Sequence, residues 1–154
     1  MSGAVPNTPK IVQQVSVFLE NKSGRLAEVC TTLGEHRVNI RALCIADTSD
    51  FGILRLIVND PAKATSVLQE AGFSVGATAV IALQIPDRPG GLGGILELLE
   101  AARVNVEYMY AFFVRKEGDA VVLFRVADET LDQTIAALQA ADIPILPAEE
   151  VYAL

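Results

Sequence analysis

The sequence predicts an α+β chain of two tandem units. Each runs strand, helix, strand, strand, helix, strand, with an antiparallel sheet and both helices on one of its faces. Three observations carry this. The chain repeats itself: Asn21-Lys22-Ser23-Gly24-Arg25-Leu26 returns as Asp87-Arg88-Pro89-Gly90-Gly91-Leu92, and Val38-Asn39-Ile40 returns as Val104-Asn105-Val106, both 66 residues later. The apolar spacing alternates between a strand period of two and a helical period near 3.6, in the same order in both copies. Stop and start signals fall where that alternation changes, most clearly at Asp60-Pro61 and Gly72.

The first element is Val12 to Glu20, where Val15, Val17 and Leu19 alternate with polar residues as on a half-buried strand. Asn21 to Arg25 is a glycine-bearing turn. A helix follows, with Leu26, Val29 and Leu33 on one stripe. Val38 to Asp47 reads as a strand, Thr48 to Gly52 as a turn and Ile53 to Asn59 as another strand. Asp60 supplies an N-cap and Pro61 a first-turn proline for the second helix, which stops at Gly72. Phe73 to Ala77 closes the unit.

The second copy reads Ala79 to Pro86, helix Leu92 to Ala102, Val104 to Val114, Ala120 to Ala127, helix Glu129 to Ala141, and a last strand around Ile143 to Leu146. Asp60 aligns with Asp128, so this copy has gained two residues in a hairpin turn, where insertions are tolerated. The order is that of the ferredoxin-like arrangement. It divides the chain into an N-terminal tail, 1–11, a first unit, 12–77, and a second, 78–152.

Alternation also assigns faces. Val15, Val17, Leu19, Ile40, Ala42, Cys44, Leu54, Leu56 and Val58 are expected toward the helices. Phe18, Leu43, Ile45, Ile53 and Ile57 are expected on the opposite face, among Gln14, Ser16, Asn39, Arg41 and Arg55. In the second copy, the parity of Tyr108, Tyr110 and Phe112 reads as inward. A sheet face about half apolar implies a cover. With Met109 and Phe113 added, it predicts a homodimer.

Composition limits the chemistry. The 154 residues are 51% hydrophobic and 20% charged, which fits a packed chain and not a disordered one. The net charge of −7 opposes a phosphate backbone, so no nucleic-acid partner is expected. Cys30 and Cys44 form no Cys-x-x-Cys pair and His36 is the one histidine, so neither a metal site nor a Ser-His-Asp triad is expected. No nucleophile–base pair or phosphate loop emerges. The reading is a non-enzyme without cofactors. No apolar run approaches the ~20 residues that span a bilayer, and Met1 to Lys10 lacks a signal peptide's apolar region. A cytoplasmic location with reduced cysteines, and no membrane partner, is the expectation.

The repeated pattern, strand, Asn/Asp-x-Pro/Ser-Gly-x-Leu, helix, Val-Asn-Ile/Val, strand, resembles the ACT domain, a small amino-acid-binding regulatory module. The resemblance covers Val12 to Tyr152 as two copies. Ser16 to Lys22, Ile45 to Gly52 and Asn105 to Phe112 are similar to stand-alone bacterial tandem ACT proteins, which carry no catalytic domain. Two features depart from the pattern: Arg37 and Arg103 stand where glycine often ends the helix, and Ser23 replaces the proline of the first turn.

The resemblance implies a small-molecule ligand, an amino acid, held between ACT units. A glycine turn exposes helix-start N–H groups that suit a carboxylate. Asn21 or Asp87 can accept from an ammonium, and Asn39 or Asn105 can donate and accept. The expected ligand residues are Asn21, Lys22, Ser23, Gly24, Arg25 and Leu26 with Asn105 and Val106, and Asp87, Arg88, Pro89, Gly90, Gly91 and Leu92 with Asn39 and Ile40. The second turn, rigid through Pro89-Gly90-Gly91, is the favoured one. The function implied is a non-catalytic sensor acting by allosteric coupling. The alternative is a regulatory subunit of a separate enzyme of amino-acid metabolism, like the small subunit of acetolactate synthase.

Overall fold

A computed structural model describes residues 10–47, 50–113 and 118–154. The predicted tail up to residue 9, the turn residues Thr48 and Ser49, and the predicted strand end at Val114 lie outside the described residues.

Strand β1 is Val12–Glu20, helix α1 Arg25–Glu35, strand β2 Ile40–Asp47, strand β3 Phe51–Val58 and helix α2 Pro61–Glu70. Strand β4 is Ser74–Pro86, helix α3 Gly91–Ala101, strand β5 Tyr108–Phe113, strand β6 Asp119–Arg125, helix α4 Leu131–Ala140 and helix α5 Ala148–Tyr152. A single 3₁₀ turn, Asp128–Thr130, leads into α4.

The chain forms two compact units. One comprises Gln13–Thr78 with Val151–Leu154, and the other Ala79–Glu150 with the described residues before Gln13. In the first, strand order is β2-β3-β1-β4 with β1 and β2 both antiparallel to β3. Val15, Val17, Leu19, Leu54, Leu56 and Val58 pack against Val29 and Leu33 of α1 and Ala64 and Leu68 of α2. In the second, the order is β4-β6-β5, and an antiparallel bridge from Leu83 to Ile145 adds the fourth position. Ile81, Leu83, Ile85, Val122 and Phe124 meet Ile95 and Leu99 of α3 and Leu138 of α4. Each unit is a ferredoxin-like α+β fold.

Helix ends follow local chemistry. Asp60 caps α2 by accepting from the Lys63 N–H at 3.1 Å. After the helices the chain turns through left-handed residues: Arg37 at φ 60°, Gly72 at 92°, Arg103 at 59° and Asp142 at 56°. The two arginines therefore occupy the backbone conformation that glycine prefers, at about 1 kcal/mol each.

The structure corrects three sequence expectations. The register between β2 and β3 shifts between Ile40 and Ala42. Beyond that bulge Leu43 pairs with Leu56 and Ile45 with Leu54, so Leu43 and Ile45 lie on the helix side and Ala42 and Cys44 on the other. The second unit does the same after the irregular stretch before Tyr108. Met109 pairs with Phe124 on the helix side, while Tyr108, Tyr110 and Phe112 pair with Arg125, Leu123 and Val121 on the other. Finally, the predicted strands Phe73 to Ala77 and Ala79 to Pro86 are one strand, β4. The last predicted strand survives as the Ile145 bridge, and the helix α5 was not predicted.

Phe18, Phe51 and Ile53 remain on the face of the first sheet away from its helices, 50, 44 and 38% exposed, with the Phe18 and Phe51 rings stacked at 5.1 Å.

Candidate functional site

Both glycine turns adopt one backbone design. Gly24 at φ 90° precedes α1 and Gly90 at φ 84° precedes α3, and neither helix has a side-chain cap. The Asn21 N–H donates to the Asp50 carbonyl and the Asp87 N–H to the Gly118 carbonyl, both at 2.8 Å, which ties each turn to the neighbouring hairpin. Among the described residues, the N–H groups of Leu26 and Ala27, and of Leu92 and Gly93, have no backbone acceptor. These donors and the positive end of the helix dipole both favour negative charge beside the turn.

The turns differ in tightness. Gly91 N–H donates to the Arg88 carbonyl at 3.0 Å, whereas Arg25 N–H reaches the Lys22 carbonyl only at 3.4 Å. A Cβ at Gly91 would lie 2.5 Å from the Pro86 carbonyl oxygen. The second turn is closed down on its strand, while the first, with a side chain at the equivalent Arg25, stands open.

A groove of about 150 Å³ opens at the first turn, lined by Leu19, Glu20, Asn21, Lys22, Arg25, Leu26, Ile45 and Gly52. Its charges are organised. Glu20 meets Lys22 Nζ at 3.0 Å and Arg25 at 3.4 Å, and Arg25 also meets Glu28 at 2.9 Å. The hydrogen bonds from Lys22 and then Arg25 hold the Glu20 carboxyl below its ordinary range. The contacts to Glu28 and then Glu20 raise the Arg25 guanidinium further. Arg25 also lies 5.7 Å from the Phe73 ring centroid. All of these ion pairs are solvent-exposed, so they shape the groove more than they stabilise the fold.

The remaining expected residues lie elsewhere. Asn39 and Asn105 precede β2 and β5, at the end of each sheet opposite the turn that opens its helix. Asn39 uses its backbone, donating to Asn59 Oδ1 at 2.8 Å and accepting from the Asn59 N–H at 3.1 Å. Asn105 and Val106 line an open depression with Leu96, Glu100 and Arg103. Leu92 and Val106 line a cavity of only about 10 Å³ in the second core. Within one unit, turn and asparagine are therefore not brought together.

Sequence reasoning missed Leu19, Glu20, Ile45 and Gly52 as groove residues. Glu20 carried a signal: an acid followed by Lys22 and Arg25 around a turn. Ile45 carried none, because only the bulge places it on the helix side. Among the described residues, no group of three metal-ligating side chains occurs and no helix is long and apolar enough to cross a membrane.

The chain is thus a pair of small ferredoxin-like modules, each with an uncapped helix behind a left-handed glycine. The profile of the ACT domain pair matches residues 10–143, and the chain belongs to that family. Protein BT0572 from Bacteroides thetaiotaomicron is 41% identical, with a TM-score of 0.88 over 94% of this chain and 98% of its own. The ligand-free regulatory subunit of aspartate kinase from Thermus thermophilus has the same fold at 12% identity, with a TM-score of 0.60 over 88% of this chain and 94% of its own. The regulatory subunit from Thermus flavus gives 13% and 0.58 over 88% and 98%. No curated protein sequence matches.

Proposed function

We propose that the chain is a non-catalytic sensor that binds a free amino acid at its glycine turns and passes occupancy to a partner surface. The observation that carries this is the pair of uncapped helix starts behind Gly24 and Gly90, whose outward N–H groups suit an α-carboxylate. Membership of the ACT domain pair family supports a regulatory role. The proposed contacts are Asn21 to Leu26 and Asp87 to Leu92, each turn completed by the asparagine strand of another ACT unit, Asn39 and Ile40 or Asn105 and Val106. The exposed Phe18, Phe51 and Ile53 support assembly as a homodimer.

A thermal-shift screen of the twenty amino acids tests the reading. A ligand at a hundred times its Kd adds about 2.7 kcal/mol, which raises Tm by roughly 5–10 °C for a chain of this size. A flat response across the panel refutes amino-acid sensing. Co-purification with a catalytic chain, and binding only in its presence, identifies an obligate regulatory subunit instead.

A further inference from the structure

We infer that the groove at the first turn selects a branched aliphatic amino acid, the class of leucine, isoleucine and valine. This rests on the proposed function, that a turn receives an amino acid, and adds which turn and which side chain.

Size is the first argument. The groove holds about 150 Å³. A cavity of this volume takes a benzene-sized group. A four-carbon branched side chain therefore fits.

Lining is the second. Leu19, Leu26 and Ile45 supply apolar walls, and Leu26 and Ile45 remain 40 and 44% exposed, so a ligand there would cover apolar surface now in water. The polar residues of the lining are Glu20, Asn21, Lys22 and Arg25, at and beside the turn. A ligand hydroxyl or amide pressed against Leu19 and Ile45 would lose its water without a partner.

Charge is the third. Lys22 and Arg25 offer cations to a carboxylate beside the Leu26 and Ala27 N–H groups. Glu20 spends one oxygen on each of those cations, and a carboxylate has about four acceptor sites, so it can also receive an ammonium. The turn therefore carries both signs of charge that a zwitterion presents.

The second turn keeps a cation, Arg88, and has an acid, Asp87, but lacks the rest of this set. Repeat alignment puts Pro86 at the place of Glu20, Gly91 at that of Arg25 and Ala111 at that of Ile45. Beneath it lies a core cavity of about 10 Å³, walled by Leu92 and Met109 among others.

Titration calorimetry on the full chain tests the assignment with L-leucine, L-isoleucine, L-valine, L-alanine, L-aspartate and L-lysine. Each buried methylene is worth about fourfold, so leucine should bind at least tenfold tighter than alanine, and tighter than aspartate or lysine. Ile45→Ala should weaken leucine by about three- to tenfold while leaving alanine nearly unmoved. That change in the ratio is one that general damage to the fold would not produce. Alanine binding as tightly as leucine, a preference for aspartate or lysine, or Ile45→Ala weakening both ligands equally overturns the inference and leaves amino-acid sensing standing. Binding of none of the twenty amino acids removes both.

Discussion

Replacing Gly91 by alanine should destabilise the protein, although Gly91 opens a helix in which alanine is ordinarily the better residue. The added Cβ would sit 2.5 Å from the Pro86 carbonyl oxygen, a backbone atom held by the Arg88 N–H at 3.0 Å. Van der Waals contact lies about 0.5–1 Å farther out, so α3 or the end of β4 must shift. Overpacking of this kind costs about 1–3 kcal/mol, against the 0.4–1 kcal/mol that Gly→Ala returns by restricting the unfolded chain. The net loss is roughly 1–2 kcal/mol, or about 2–8 °C in Tm.

Gly94, three residues along the same helix, has nothing within 4 Å of a Cβ. Gly94→Ala should stabilise by roughly 0.5–1 kcal/mol. Urea denaturation followed by circular dichroism reads both variants. Opposite signs support the close turn. A Gly91→Ala variant as stable as the parent would refute it.

Three further expectations follow from the same geometry. Arg37→Gly and Arg103→Gly, at φ 60° and 59°, should each stabilise by up to about 1 kcal/mol in thermal melts, and a loss would show that the arginine side chains outweigh the backbone strain. Tyr152 accepts from the Gln13 N–H at 2.7 Å, and its carbonyl accepts from Arg41 at 2.9 Å. Burial pushes the Tyr152 phenol above its ordinary value. Its contribution is therefore complete below about pH 10 and is lost as pH rises through the folded-state value; Tyr152→Phe should flatten the alkaline limb of a stability–pH curve. In the proposed homodimer, Phe18→Lys, placed in the exposed patch with Phe51 and Ile53, should shift sedimentation toward the 16.4 kDa monomer, and an unchanged distribution would count against a contact through this patch.

Much of the fold was legible because its signals are local. Asp60, Pro61 and Gly72 bracket α2, and β1 has the predicted limits, since caps and alternation act over a few residues. The left-handed backbone at Arg37 and Arg103 was legible only through the family pattern, as glycine missing from its usual place. The bulge after Ile40 was not legible: Ala42, Leu43, Cys44 and Ile45 are all apolar, so neither parity contradicts the sequence. The joining of two strands into β4 was hidden for another reason. The repeat marks a boundary at Ala77 and Thr78, but the residues there include no glycine or proline to show whether the strand stops. The site was half legible. The turns were visible as motifs, but the open groove depends on Ile45, which the bulge delivers, and on the looser approach that Arg25 imposes.

The most direct test of amino-acid sensing is a map of backbone amide chemical shifts on adding L-leucine to the isotopically labelled full chain. The account predicts saturable shifts centred on Ser23 to Ala27, where the uncapped N–H groups of α1 meet the carboxylate, with companion shifts at Glu20 and Ile45. Saturable shifts centred away from both glycine turns, or none with any amino acid, would contradict it.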